Sequence, residues 1–109
     1  MIKASTNDIT KGKKKITVRA KVDTGAWRTS IDRELAERMG LMTKDNILWE
    51  RHFRSALGTQ RRVVIGLTYS LKGHKIDTVA SVSSRKNLKN KLIIGRKDLG
   101  GFLVNPRSI

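Results

Sequence analysis

An alternating strand near the start of this chain runs directly into a carboxylate followed by a glycine. The apolar positions of the strand are Ile16, Val18, Ala20 and Val22, and the sequence continues as Asp23-Thr24-Gly25-Ala26. Such alternation predicts a half-buried strand, so Asp23 should lie where the strand gives way to a turn. Gly25 lets the backbone approach whatever lies opposite. A second element, Ile93-Ile94-Gly95-Arg96, follows near the C-terminus.

The chain has 109 residues and carries this carboxylate motif once. That length predicts one domain with a modest core and no room for two lobes. A site that needs two equivalent carboxylates must therefore come from a homodimer, the commonest closed symmetry. Residues 1–14 show no apolar periodicity, so we expect a basic mobile arm or edge strand there and a single domain over residues 15–109.

Composition excludes several other classes of protein. There is no cysteine, which excludes disulfides and thiolate metal ligands. The first fifteen residues lack the apolar stretch of a signal peptide, and no segment approaches the ~18 apolar residues of a membrane span. His52 and His74 are isolated and there is no His-Glu-x-x-His sequence, so we expect no metal and no cofactor. The expectation is a soluble cytoplasmic protein with no membrane partner.

The formal net charge is +15, and it is unevenly spread. Residues 1–21 hold seven Lys and Arg against Asp8, and residues 61–109 hold eleven against Asp77 and Asp98. Residues 22–60 are balanced, so the excess lies on the flanks of the chain. Such a field attracts polyanions, whether nucleic acid, an anionic surface or an acidic peptide.

The rest of the pattern predicts mainly strands. Asp32 can cap a short helix with apolar positions at Ile31, Leu35 and Met39, ended by Gly40. Strands at residues 48–57, 60–71 and 74–82 form a meander with turns at Gly58-Thr59 and Lys72-Gly73. A polar loop at 83–90, a buried strand at 92–94, one helical turn at 96–99 and a strand at 102–104 complete the chain. This order favours an all-β, small closed or partly closed β-barrel with one or two short helices.

The two motifs together resemble the retropepsin fold of the retroviral aspartic proteases. The wider sequence is similar to the prokaryotic retropepsin-like proteins associated with RimK-type ATP-grasp ligases. The residues that carry this likeness are Ala-Lys-Val-Asp-Thr-Gly-Ala at 20–26, Thr29-Ser30, and Ile-Gly-Arg-Lys-Asp-Leu-Gly-Gly-Phe-Leu-Val at 94–104. Both ends of the domain are covered, while residues 47–82 match more loosely.

The resemblance implies a homodimeric aspartic endopeptidase in which the two Asp23 carboxylates meet at the two-fold axis. Carboxylates that close cannot both ionise, so the pair holds one shared proton. One carboxylate then acts as the base toward a bridging water, and the other donates to the scissile carbonyl of a peptide or protein substrate. For some members the resemblance implies trimming of glutamate tails, and an acidic substrate fits the basic flanks.

It also implies roles for the neighbouring residues. Thr24 would hydrogen-bond across the axis, and the backbone at Gly25 would steady the carboxylates. The supporting segment beneath the site would be Ile93, Ile94, Gly95 and Arg96. Substrate would contact Ala26 and Ile94 in the cleft wall, and a covering hairpin, or flap, with its tip at Leu57, Gly58 and Thr59.

One departure concerns Arg96. In the retroviral enzymes the residue after Asp-Thr-Gly-Ala is acidic and pairs with the arginine that corresponds to Arg96. This chain has Trp27 at that position. Asp98 and Asp32 are the candidate replacements for the missing partner.

Two alternatives remain open. A nucleic-acid-binding β-barrel is favoured by the net charge. Against it, the five aromatic residues do not alternate with basic residues on one strand as a base-stacking platform would; they are Trp27, Trp49, Phe53, Tyr69 and Phe102. Non-specific polyanion binding by the flanks is compatible with either class. The other alternative is a non-catalytic dimer that keeps the retropepsin fold as a binding or regulatory module.

Overall fold

Seven strands and one short helix make up the computed structural model, which describes residues 2–56, 58–84 and 90–99. In chain order the elements are β1 (Ile2–Lys11), β2 (Lys14–Asp23), β3 (Thr29–Asp32), α1 (Arg33–Arg38), β4 (Ile47–Ser55), β5 (Gly58–Leu71), β6 (His74–Ser83) and β7 (Leu92–Gly95), followed by a 3₁₀ turn (Arg96–Leu99). The prediction of an all-β chain with one or two short helical elements is confirmed.

Six of the strands close into a barrel. The sheet order is β1-β2-β7-β3-β6-β5-β4, and β1 also pairs with β5 at Ile9↔Tyr69 and Thr10↔Thr68. β7 runs parallel to β2 and antiparallel to β3, so it joins the strand that ends at Asp23 to the strand that follows the turn. β4 pairs with β5 alone among the described strands and lies outside the closed ring.

We expected a basic mobile arm or an edge strand over residues 1–14, and residues 2–11 are a strand. They form β1, which pairs with β2 over its whole length and with β5 near its end. Apolar alternation does not mark this strand, since Ile9 is the one fully buried hydrophobic among the β1 residues whose side chains are described. Backbone pairing on both sides holds the strand instead, and Asn7 Nδ2 also donates to the Ser70 carbonyl of β5.

One face of β5 contributes five residues to the core of the barrel. Its five alternating residues are all buried, as predicted: Val63, Ile65, Leu67, Tyr69 and Leu71. The opposite face of the same strand carries polar residues and glycine over its second half. The predicted turn at Lys72-Gly73 is present, with φ values of 52° and 80° at its two residues. Positive φ at both positions is the pattern of a type I′ hairpin.

α1 begins and ends where the sequence predicted. Asp32 has an extended backbone and accepts a hydrogen bond from Leu35 N at 3.2 Å, which satisfies one of the free amides of the first turn. Leu35 and Met39 pack into the core cluster, and Gly40 follows with a φ of 73°. The helix therefore packs onto the core and follows β3 directly, with Asp32 as the last residue of the strand and Arg33 as the first of the helix.

Several predictions concern other positions. His52 and His74 are exposed, and so are Trp27 and Trp49, at 57% and 44%. The predicted strand at 102–104, most of the loop at 83–90, and Leu57 lie outside the described residues. Within the part of the chain that is described, no helix is long and apolar enough to cross a membrane.

Candidate active site

Asp23 is the last residue of β2 and lies between two neighbouring strands. Its register partners are Ile2 on β1 and Gly95 on β7. The alternating strand does run into the carboxylate, as the sequence indicated. The side chain is partly exposed, so it is held at the edge of the barrel and not inside the core.

The turn after Asp23 orients its carboxylate. Gly25 N donates to Asp23 Oδ1 at 2.9 Å, and Ala26 N donates to the Asp23 carbonyl at 3.1 Å. An aspartate that accepts from the amide two residues later forms a local turn that fixes its own side chain. A Cβ at position 25 would lie 3.1 Å from Asp23 Oδ1, so a side chain there would crowd the carboxylate.

The C-terminal motif docks onto this turn through its backbone. Arg96 N donates to the Ala26 carbonyl at 2.7 Å and Lys97 N to the Trp27 carbonyl at 2.9 Å. A Cβ on Gly95 would lie 2.4 Å from the carbonyl carbon of Arg28, closer than real Cβ atoms approach other heavy atoms. Glycine is therefore required at 95 for the two segments to approach this closely.

Thr29 and Asp98 extend the same contact into the barrel. Gly95 N donates to Thr29 Oγ1 at 3.0 Å, and Thr29 Oγ1 donates to Asp98 Oδ2 at 2.5 Å. Asp98 also accepts from Tyr69 OH at 2.8 Å and from Thr78 Oγ1 at 2.6 Å. Three hydroxyl donors thus converge on one carboxylate, which ties the 3₁₀ turn to β3, β5 and β6.

This network changes the chemistry of the only tyrosine. Burial, together with the hydrogen bond and the negative charge of Asp98, raises the pKa of Tyr69 well above its ordinary value. The sequence did not reveal the network, because its members are far apart in the chain. The one local indication of the network is Thr29, a polar residue in the short strand after the Asp23 turn. It is fully buried in the structure.

The expected ion pair of Arg96 is replaced by a ring contact. The guanidinium carbon of Arg96 lies 5.2 Å from the centroid of the Trp27 ring, within the range of a cation–π interaction. The two candidate carboxylates are engaged elsewhere, since Asp98 receives the three hydroxyls and Asp32 caps α1. Trp27 itself, which replaces the acidic residue, is thus the contact of Arg96.

The two isoleucines of the motif face opposite sides of β7. Ile94 has no exposed surface and belongs to the core cluster, so the expectation that it walls the substrate cleft is corrected. Ile93 lies one residue earlier, and alternation along the strand turns it away from that core. It is 7% exposed. The supporting role of both residues beneath Asp23 stays a prediction.

The proposed flap tip lies at the far end of the β4–β5 hairpin. Gly58 has a φ of 116° and is exposed, and Ser55 Oγ donates to its carbonyl at 3.1 Å. Thr59 is exposed as well. Gly58 and Thr59 begin β5 and so come directly after the turn, not within it. The structure brings together the residues of the two terminal motifs, and no hydrogen bond between described residues joins Gly58 or Thr59 to Asp23.

A cleft of about 810 Å³ connects the hairpin with the segment after Asp23. It contains four arginines, Arg28, Arg33, Arg61 and Arg62, and no acidic residue among its described lining. Its lining also includes Trp49, Thr59, Val64 and the serines at 81, 83 and 84. Arg33 Nε and Ser83 Oγ are buried without a hydrogen-bond partner. The sequence did not indicate this concentration of positive charge, because Arg28 and Arg33 lie about thirty residues from Arg61 and Arg62 along the chain.

No group of three His, Asp or Glu residues that could hold a metal ion occurs in residues 2–56, 58–84 and 90–99.

Comparison with known proteins gives the class of fold. No protein-family model matches the sequence, and no curated protein matches it. Among solved structures, the solution structure of the Simian foamy virus (mac) protease matches with a TM-score of 0.65 at 17% identity, over 94% of this chain and 97% of that one.

Two cellular proteins have the same architecture. A retropepsin-like aspartic protease from Rickettsia conorii matches with a TM-score of 0.56 at 16% identity, over 86% of this chain and 66% of the other. The retroviral protease-like domain of Ddi1 from Leishmania major matches with a TM-score of 0.53 at 22% identity, over 90% and 76%. At these identities the likeness shows the fold, and this chain is a retropepsin-like β-barrel.

Proposed function

We propose that this chain is one subunit of a homodimeric aspartic endopeptidase. The observation that carries the proposal is the position of Asp23, held at the end of β2 by Gly25 N and set beside Gly95 in a retropepsin-like barrel. One chain supplies one such carboxylate, so hydrolysis requires a second copy. Thr24 would then bond across the two-fold axis, and Ala26 would line the substrate path.

The chemistry follows from placing the two Asp23 carboxylates a few ångströms apart. They share one proton, because two adjacent negative charges repel. The ionised carboxylate takes a proton from a bridging water as that water attacks the peptide carbon. The protonated one donates to the carbonyl oxygen, and the roles exchange when the tetrahedral intermediate collapses to release the amine.

An acidic substrate is the class that the cleft favours. Arg61 is engaged by Glu50, but Arg28 and Arg33 lie in the cleft close in sequence to the Asp23 turn. A glutamate side chain of the substrate could pair with either guanidinium. Glutamate-rich peptides, the substrates suggested by the likeness to proteins associated with RimK-type ligases, are therefore the first to test. Cytoplasmic location stays a prediction.

The decisive test compares the native protein with Asp23→Asn on glutamate-rich and mixed peptide libraries, read by mass spectrometry. We expect cleavage by the native dimer and none by the variant, with the dimer retained in sedimentation. Cleavage that survives in Asp23→Asn would show that Asp23 is not the nucleophile-activating group. A dimer that cleaves no peptide would support the non-catalytic alternative.

Matched peptides test the substrate class separately. Arg28→Gln should raise KM for a glutamate peptide up to about fivefold, because an exposed ion pair contributes at most about 1 kcal/mol. KM for the same peptide with glutamine in place of glutamate should not change. Lys44→Gln removes the same charge from an exposed position outside the cleft and serves as the control. Equal effects of the two substitutions would contradict a specific role for the cleft arginine.

A further inference from the structure

The β4–β5 hairpin carries a surface of its own, of which Trp49, Gln60 and Arg62 also line the arginine-rich cleft. In the register of the hairpin, Trp49 lies opposite Val64, Arg51 opposite Arg62, and Phe53 opposite Gln60. Opposed residues of antiparallel strands point to the same side. We call the surface formed by Trp49, Arg51, Phe53, Gln60 and Arg62 the arginine–aromatic face.

Basic and aromatic side chains alternate on this face. The guanidinium carbons of Arg51 and Arg62 lie 5.1 and 4.7 Å from the centroid of the Phe53 ring, one from each strand. Trp49 is 44% exposed on the same face. The sequence-based expectation that no strand alternates aromatic and basic residues is therefore wrong for β4.

The charge of the hairpin is not neutralised within it. Glu50 is the only acidic residue of β4 and β5, and Arg61 binds it on the other face. Arg51, Arg62 and Arg54 have no carboxylate of the hairpin left to pair with. Because β4 lies outside the barrel, the face is carried by an exposed two-stranded ribbon and not by the closed sheet.

We propose that the arginine–aromatic face binds single-stranded nucleic acid. Every base offers a flat ring that stacks on aromatic side chains and on guanidinium planes, and the same arginines can contact phosphates. The alternation on β4 supplies both kinds of contact at successive positions of one strand. An acidic peptide would need the charges but would have no use for the rings, so the observations favour nucleic acid. The proposal does not depend on the peptidase activity.

The proposal is tested by measuring binding to a fluorescent oligo(dT) strand of about 20 nucleotides. Fluorescence anisotropy follows the binding at salt concentrations from about 50 to 200 mM. The full chain should bind the single strand more tightly than the matching duplex. Phe53→Leu keeps an apolar side chain but removes the ring, and should weaken binding at least about fivefold. Arg51→Gln should lower the slope of log K against log salt by about 0.7, the value for one phosphate contact on a single strand.

Lys13→Gln is the matched control for charge. Lys13 is exposed in the turn between β1 and β2, which is not part of the face. We expect its effect to be smaller than that of either hairpin variant. If Lys13→Gln weakens binding as much as Arg51→Gln, or if Phe53→Leu has no effect, the net charge alone binds the strand and the proposal is overturned.

Competition with polyglutamate distinguishes nucleic acid from acidic proteins as the partner of the face. Polyglutamate at equal charge concentration should compete poorly, and full displacement of the oligonucleotide by polyglutamate would reassign the face to acidic proteins.

Circular dichroism and thermal unfolding check that each variant folds. If Phe53→Leu does not fold, Trp49→Leu removes a second aromatic ring of the same face and takes its place. Asp23→Asn should bind the oligonucleotide like the native chain, so failure here and failure of the peptidase proposal are separate results.

Discussion

Thr29 offers the sharpest test of how the site is held. Its hydroxyl accepts from Gly95 N at 3.0 Å and donates to Asp98 at 2.5 Å, while the residue is fully buried. Thr29→Val keeps the shape of the side chain and removes both bonds. An unpaired buried amide costs about 1–3 kcal/mol, and a hydrogen bond to a carboxylate contributes about 1.5–3 kcal/mol.

The sum predicts a loss of about 2.5–6 kcal/mol in the free energy of unfolding. That is a large share of the roughly 5–15 kcal/mol that holds a domain folded. Thr29→Ser is the matched control, because it keeps the hydroxyl and loses one methyl group, at about 1 kcal/mol. The two variants therefore differ by more than the error of the measurement.

Urea unfolding measures the difference in the free energy of unfolding between the native chain and the two variants. All three are compared at one protein concentration, so that dimerisation does not shift the midpoints. The midpoint of Thr29→Val should fall well below that of Thr29→Ser, with a similar slope. Equal midpoints would refute the reasoning, since the hydroxyl would then not bridge Gly95 and Asp98.

Three further predictions concern Gly95, Tyr69 and Arg96. Gly95→Ala should destabilise the chain by at least about 1–3 kcal/mol, because its Cβ meets the backbone of Arg28, and an unchanged urea midpoint would contradict this. The raised pKa of Tyr69 means that the unfolded phenol ionises near pH 10.0 while the folded one keeps its proton, so this contribution to stability is complete below that pH and declines above it. The phenolate absorbance of this single tyrosine should therefore appear only on unfolding, and Tyr69→Phe should lose less stability in alkali. Arg96→Gln should cost under about 1 kcal/mol in thermal unfolding, because its contact with Trp27 is exposed, and a larger loss would reveal another partner.

Local features of the sequence predicted the parts of the fold that local geometry decides. The alternation in β5 located its buried face, and the Asp32 cap with Gly40 located both ends of α1. The turn at Asp23 depends only on residues within three positions of it, which is why the motif placed the carboxylate at the end of β2. In each case the sequence signal lies within a few neighbouring residues.

Contacts between distant residues could not be read in the same way. Thr29 and Asp98 are 69 residues apart, and Asp98 is 29 and 20 residues from its other two donors. The arginine-rich cleft was not predicted either, because its arginines come from two distant segments and the charge was counted segment by segment. The sequence left residues 1–14 open between a mobile arm and an edge strand, because the strand character of β1 comes from pairing with β2 and β5 and no apolar face marks it.

The substitution of Trp27 for an acidic residue changes what holds the C-terminal turn in place. The stacking of Arg96 on Trp27 is exposed and contributes only about 0.5–1 kcal/mol. The turn is fixed instead by two backbone amides that donate to the carbonyls of residues 26 and 27, and by the three hydroxyls on Asp98. Backbone bonds do not depend on the side chain at position 27, so that position can vary while the turn stays docked. The geometry of Asp23 therefore depends on Gly95 and Asp98 more than on the arginine of the motif.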